Sequence, residues 1–127
     1  MNDTKARCWL HGFRIRVYND PGSSGGSFMY PTGDGQEWGS LFVDLDQPWE
    51  TVCIFVMHEL QEYWLASSDL RLKPDSIPSM GSECSLFIVS HDQFTRMVDE
   101  SFGAWFALSP KLKKAWKKWQ KKMEDGK

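Results

Sequence analysis

In residues 52–65 the chain reads VCIFVMHELQEYWL, an apolar run that ends in a turn rich in charged side chains. A helix that is apolar nearly all round is normally buried, so this run predicts a central buried helix. Charged side chains at the end of such a helix require a partner, water or a metal ion. His58, Glu59 and Glu62 stand there. His58 and Glu62 share one face, because helical residues four apart lie side by side.

The spacing of these three residues matches the HExxH helix of zinc peptidases, except that Glu62 stands in the place of the second histidine. In this interpretation His58 and Glu62 are metal ligands. Glu59 is then the catalytic general base, which takes a proton from metal-bound water. The same spacing also fits a plain hydrogen-bonded pair at the solvent end of a buried helix. The motif alone therefore leaves both interpretations open.

A catalytic zinc site needs about three protein ligands, so a further ligand must come from elsewhere in the chain. His91 and Asp92 are the first candidates, because they open a later helix and helix starts commonly face clefts. Asp99 and Glu100, further along the same helix, are the alternatives. A metal-free acid–base pair of His58 with Glu62 or Asp92 is another hypothesis, although no recognisable nucleophile accompanies it.

The length of 127 residues and an apolar fraction of 41% predict one folded domain over residues 1–127. Charge is distributed unevenly along it. Residues 111–127 contain 8 lysines against Glu124 and Asp125, a local charge of +6, which leaves −8 on residues 1–110. The basic end is predicted to be an amphipathic helix over residues 110–127. It either binds nucleic acid or another anionic surface, or forms a solvated face steadied by the acidic body.

The cysteines and the N-terminal residues predict the cellular compartment of the protein. Cys8, Cys53 and Cys84 show no CxxC spacing, which favours a reducing, cytoplasmic setting over a disulfide scaffold. The segment MNDTKARCW lacks the apolar core of a signal peptide. No apolar run reaches the ~20 residues that span a bilayer, so no transmembrane segment is predicted.

Strands are predicted where apolar and polar residues alternate. In the first of them, Trp9 and Ile15 are placed on the apolar face and Leu10 on the other. TGDGQ, residues 32–36, predicts a hairpin turn between the second and third strands, and residues 69–84 predict a loop. The predicted strands are Trp9–Tyr18, Phe28–Tyr30, Gly39–Leu45 and Ser85–Val89.

Three helices complete the predicted elements. The central helix starts at Pro48 with Asp46 as its cap. Ser90 and Gln93 form a capping box that starts the second helix, and Pro110 starts the third. The order β-β-β-α-β-α-α predicts an α+β fold. In it, a small N-terminal antiparallel or mixed sheet packs against a central buried helix and two C-terminal helices.

The order of a strand, GSLFVDLD, a proline-started helix and HEL within an apolar run resembles the core of small zincin-like proteins found in phages and bacteria. The segment SHDQFTRMVDESFGAWFALSPKLKKAWKKW resembles the helix that these proteins carry after the motif. The resemblance covers about residues 39–119. It implies that His58 is the first zinc ligand and Glu59 the base. Glu62 departs from the family pattern, and its negative charge beside Glu59 makes bound water less acidic.

Two classes of function follow. The resemblance implies a small zinc-dependent hydrolase of the peptidase type, or a decayed relative of one. The alternative is a non-catalytic phage-type protein that inhibits a host defence complex by binding it. The small size, the acidic body and the Trp-rich basic end suit a protein interface. The basic helix over residues 110–127 is compatible with either class.

Overall fold

The computed structural model of the protein describes residues 3–29, 38–68, 71–72 and 86–126. Within these ranges the chain forms an α+β fold, as predicted. The elements are, in chain order, β1 (Ala6–Leu10), β2 (Phe13–Asn19), β3 (Gly26–Met29), β4 (Trp38–Val43), α1 (Trp49–Ser67), β5 (Arg71–Leu72), β6 (Leu86–Phe87) and α2 (His91–Asp125). The predicted turn at residues 32–36 and nearly all of the predicted loop at 69–84 lie outside the described residues.

The first four strands form a mixed sheet in the order β1-β2-β4-β3. β1 and β2 pair antiparallel, β2 and β4 pair parallel, and β3 and β4 pair antiparallel. The parallel register aligns Ile15 with Gly39 and Asn19 with Val43. β5 and β6 form a separate antiparallel pair. β1 and β3 are thus the two edges of the main sheet, roughly 14 Å apart at the usual strand spacing.

Both helices pack against the sheet and against each other, with α1 on β3 and β4 and α2 on β1. They run antiparallel. Trp49 at the start of α1 packs on Trp116 late in α2, whereas Trp64 near the end of α1 bonds to Glu100 early in α2. Neither helix, over the residues described, is apolar for the length that crossing a bilayer requires. The largest aliphatic side chains of the core are Leu10, Ile15, Leu41, Leu45, Leu60, Leu108 and Leu112.

The predicted strand Trp9–Tyr18 is two strands in the structure. His11 and Gly12 form a tight turn with φ of 51° and 82°, the left-handed geometry that two-residue hairpins need. Leu10 is buried and Trp9 is exposed, the reverse of the predicted faces, because the alternation restarts at the turn. His-Gly is not among the dipeptides that two-residue hairpin turns favour, which are Asn-Gly, Asp-Gly and Gly-Gly, so the local signal for this turn is weak.

The loop that leads into α1 also differs from the prediction. Pro48 is the N-cap residue, and among the described residues no side chain caps the helix, so the predicted cap at Asp46 is wrong. The Asp46 carboxylate instead accepts a hydrogen bond from Trp119 Nε1 at 2.6 Å. Trp116 Nε1 donates to the Gln47 carbonyl at 2.8 Å. The late part of α2 is therefore fastened to the loop before α1.

α2 begins where the sequence predicts. Its N-cap residue is Ser90, whose hydroxyl accepts from the backbone N–H of Gln93 at 3.1 Å. The Gln93 side chain accepts from the Ser90 N–H at 2.8 Å, which completes the capping box. Together these bonds satisfy two of the amide groups that every helix start leaves without an internal partner.

The predicted division into two C-terminal helices is wrong, since α2 continues through Pro110 to Asp125. The predicted basic helix over residues 110–127 is the last part of this one long helix. Leu108 and Leu112, on either side of the proline, are fully buried. Their packing holds the helix continuous despite the ~3 kcal/mol that an internal proline costs.

Pro110→Ala is expected to raise the free energy of unfolding by about 1–3 kcal/mol. Alanine restores the N–H that a helix interior requires and removes the clash of the ring with the preceding turn. Urea denaturation followed by circular dichroism measures the change. Lys111→Ala, at an exposed neighbour in the same helix, should stay within about 0.5 kcal/mol of wild type. A loss of stability in Pro110→Ala would argue that the helix breaks at the proline.

Candidate metal centre

The turn of α1 that contains His58, Glu59 and Glu62 is held in place by neighbouring residues of the helix that are buried against the sheet. Val56 and Leu60 are fully buried. Tyr63, also fully buried, packs edge-on against Phe13 of β2 and Phe28 of β3. These contacts fix both the height and the rotation of the helix over the sheet. His58, Glu59 and Glu62 therefore stand on a rigid element, which a metal site requires.

Three ligand atoms converge on this turn. His58 Nε2 lies 3.0 Å from Glu62 Oε2 and 4.0 Å from Glu59 Oε1. One ligand atom from each residue lies within 4.8 Å of the other two. The predicted i, i+4 pairing of His58 with Glu62 is confirmed, and Glu59 joins the same cluster. One imidazole nitrogen and two carboxylate oxygens are donors that zinc accepts.

The three side chains differ in burial. His58 is 65% exposed and Glu62 is half-buried, whereas Glu59 is only 7% exposed. Glu59 reaches that position because Gly26 of β3 leaves room for it. A Cβ on Gly26 would lie 3.0 Å from Glu59 Cγ and 3.3 Å from the Phe42 carbonyl oxygen. The cluster thus lies at the β3 edge of the sheet, open to solvent at His58 and closed at Glu59.

His91 and Asp92, the predicted third ligands, are exposed at the start of α2 and do not belong to the cluster. His58 precedes Trp64 by six residues, and His91 precedes Glu100, the partner of Trp64, by nine. Because the helices run antiparallel, these offsets add to about 22 Å at 1.5 Å per residue. The cluster also lies beside β3, whereas α2 packs on the opposite edge strand, β1. The structure does not bring these residues together.

The alternatives on α2 are placed elsewhere too. Asp99 is exposed. Glu100 accepts a hydrogen bond from Trp64 Nε1 at 2.5 Å, and its carboxylate lies 3.6 Å from His11 Nδ1. Glu100 therefore belongs to a different group of residues, which lies on the side of α1 that faces α2.

That second group was not predicted from the sequence. His11 Nε2 lies 3.0 Å from Ser68 Oγ, and the His11 ring lies 4.7 Å from the Trp64 ring. The three side chains of Ser68, His11 and Glu100 thus follow one another in the order of the serine, histidine and acid of a hydrolase triad. However, the Ser68 hydroxyl donates to the Trp64 carbonyl at 2.8 Å, so its proton is directed away from the histidine. Ser68 also caps the C-terminal end of a helix, where the dipole disfavours a developing negative charge.

We therefore interpret this group as structural. It joins the β1–β2 turn to the end of α1 and to α2 through His11. The contacts come from residues far apart in the chain, and the only local signal is the His11–Gly12 turn.

Comparison of the chain with protein-family models, with curated proteins and with solved structures gives no match. The fold and the site define a small α+β protein with a His-Glu-Glu cluster on a helix that is buried on one side and exposed at Ile54 and His58 on the other. A fold alone does not imply a function, so the function must follow from the chemistry of the cluster.

Proposed function

We propose that the protein binds a zinc ion at His58 and Glu62 and acts as a small metal-dependent hydrolase of the zincin-like type. The observation that supports it is the convergence of three ligand atoms within 4.8 Å on one turn of α1. A bound zinc ion supplies Lewis acidity and lowers the pKa of a coordinated water. His58 and Glu62, the closest pair, are two of the about three protein ligands that such a site needs, and among the described residues only Glu59, the proposed base, joins them.

Glu59 is the general base in this proposal. It stands beside the pair with its oxygen 4.0 Å from His58 Nε2, and the β3 edge strand shields it from bulk water. A base must lie within about one water molecule of the proton that it takes, and this separation allows that. The carboxylate of Glu62 adds negative charge next to the base. It is expected to make the water less acidic than a second histidine ligand would.

His58→Ala is expected to weaken zinc binding by at least about 100-fold. Removing a residue that only supports the metal ligands already lowers metal affinity about 10–100-fold, and His58 is a ligand itself. The change should leave folding intact, because His58 is largely exposed. Zinc titration by calorimetry, with elemental analysis of protein purified without chelator, measures the effect. His91→Ala is the matched control and should bind zinc as wild type does. Equal affinity in wild type and His58→Ala would remove the basis of the proposal.

Two further variants separate binding from catalysis. Glu62→His recreates HExxH and is expected to bind zinc more tightly than wild type. Glu59→Gln should keep zinc and lose hydrolysis of a labelled unstructured protein such as casein. Zinc binding without any hydrolysis, in wild type and in Glu62→His, would favour a decayed relative that no longer acts on peptides.

The non-catalytic alternative, a protein that inhibits a host defence complex by binding it, is the second candidate. It is supported by large apolar side chains exposed on several elements, including Trp9 on β1 and Ile54 on α1. Such residues can anchor a protein interface. Recovery of a stoichiometric protein partner from a bacterial host, with no zinc in the sample, would favour this candidate over the hydrolase.

A further inference from the structure

The late part of α2 presents a continuous positive surface. Between Phe106 and Met123 the sequence contains seven lysines and no acidic residue. We call these residues the lysine face; all of them are exposed, and they are Lys111, Lys113, Lys114, Lys117, Lys118, Lys121 and Lys122. A recess of about 520 Å³ lies within it, lined by Pro110 and four of the lysines. Such a surface attracts polyanions.

Two phenylalanines continue the lysine face toward the start of the helix. Phe106 is 70% exposed and Phe102 is 40% exposed, and their ring centroids lie 6.3 Å apart. Phe102, Phe106, Lys113 and Lys117 follow at intervals of four, seven and four residues. These intervals place them on one stripe of the helix. The stripe from Phe102 to Lys117 is roughly 22 Å long at 1.5 Å per residue.

The apolar side of this part of α2 is already packed on the body of the protein. Leu112 is fully buried, Trp116 bonds to the Gln47 carbonyl, and Gln120 donates to the Leu45 carbonyl at 2.7 Å. An amphipathic helix binds a membrane by inserting its apolar side into the lipid. Here that side is packed on the body of the protein. A lipid surface is therefore a poor match, although its charge would suit the lysines.

We infer that the stripe from Phe102 to Lys117, with the lysine face around it, binds single-stranded nucleic acid. Lysines contact the phosphates, and the two exposed rings provide faces on which unpaired bases stack. Proteins that bind single strands without sequence preference combine these two features. A duplex keeps its bases stacked internally and can use only the lysines, so single strands should bind more tightly. This inference is independent of the zinc site.

Fluorescence anisotropy of the full-length protein with labelled oligothymidylate of about 16 nucleotides, the upper site size of such surfaces, tests the inference. Wild type should bind at low salt, more tightly than it binds a duplex of equal length. Phe106→Ala should weaken binding at least about fivefold, the least expected from losing one stacked base. The double variant Lys113→Ala/Lys117→Ala should reduce the slope of log K against log salt by about 1.4.

Phe94→Ala is the matched control. Phe94 is also exposed on α2 but lies about 18 Å from Phe106 along the helix, near Asp92 rather than the lysines. It should not change binding. The inference is overturned by any of three results. These are no saturable binding of the oligonucleotide at low salt, a duplex or anionic phospholipid vesicles bound at least as tightly, or equal affinity of Phe106→Ala and Phe94→Ala.

Discussion

Replacing Asp44 with alanine is expected to lower the free energy of unfolding by about 3–5 kcal/mol. The residue is fully buried, and its carboxylate accepts the backbone N–H groups of Ser24 and Asp46, each at 2.8 Å. The Gln47 side chain donates to it at 3.2 Å. A hydrogen bond to a charged group contributes about 1.5–3 kcal/mol, and losing the acceptor also leaves its donors without a partner.

The substitution should also weaken the packing of the two helices, because the Asp44 carboxylate holds the loop before α1, to which the late part of α2 bonds. Asp46 and Gln47, which bond to Asp44, also accept hydrogen bonds from Trp119 and Trp116 of α2. Loss of the carboxylate therefore disturbs both the entry into α1 and the docking of α2. Asp20→Ala, at an exposed aspartate, is the control and should change stability by less than about 0.5 kcal/mol.

Acid should weaken the same interaction. Burial alone would raise the pKa of the Asp44 carboxyl, but the hydrogen bonds that it accepts outweigh burial and hold the pKa below its usual 3.8. Because the folded pKa is the lower one, the charge stabilises the fold above about pH 3.8. That contribution is lost as the pH falls through the folded value. The stability difference between wild type and Asp44→Asn should therefore be constant near neutrality and shrink in acid.

Urea denaturation of wild type, Asp44→Ala and Asp20→Ala at neutral pH measures the stability change. Repeating it for wild type and Asp44→Asn down to about pH 3 measures the acid effect. A difference that persists unchanged in acid would show that shape, not charge, makes this residue important. An alanine variant as stable as wild type would contradict the structural role altogether.

The parts of the fold that could be predicted are those with a strong local signal. α1 is apolar nearly all round, and the start of α2 carries a complete capping box at Ser90 and Gln93. Such signals depend only on residues a few positions apart, so they can be recognised in the sequence alone. The α+β class follows from the order of these elements. The antiparallel pairing of β3 with β4 agrees with the predicted hairpin.

The parts that could not be predicted depend on contacts between distant residues. Proline normally starts or breaks a helix, yet Pro110 lies inside α2, because Leu108 and Leu112 are buried against the body. The β1–β2 turn uses histidine at a position that usually takes asparagine or glycine. In both cases the local rule is correct in general. Packing or an unusual turn residue overrides it here.

The same distinction applies to the candidate site. His58, Glu59 and Glu62 lie within one helical turn, so their proximity follows from helix geometry and could be predicted. The position of His91 relative to the cluster depends on the axial offset between α1 and α2. The sequence alone does not determine that offset. The group around His11 joins a turn, a helix end and a second helix, so only the tertiary structure reveals it.

Gly39→Ala is expected to lower the free energy of unfolding by about 3 kcal/mol, the upper end of the usual range for overpacking, because β4 approaches α1 too closely at this point for any side chain. A Cβ on Gly39 would lie 2.6 Å from Tyr63 Oη, 3.2 Å from Tyr63 Cζ and 3.3 Å from the Met29 carbonyl oxygen. Tyr63 is fully buried, and its ring packs between Phe13 and Phe28. Neither the ring nor the paired strand can move away freely, and overpacking of this kind commonly costs 1–3 kcal/mol.

Two comparisons make this prediction specific to the contact. Gly103→Ala, at a helical glycine with open space around it, should instead raise stability by about 0.5–1 kcal/mol. Adding Tyr63→Phe to Gly39→Ala removes the nearest atom, so the double variant should be more stable than the sum of the two single changes predicts. Urea denaturation of all four variants measures this coupling. Strict additivity would mean that the Tyr63 hydroxyl is not what excludes a side chain at Gly39, and the close approach of β4 to α1 would lose its support.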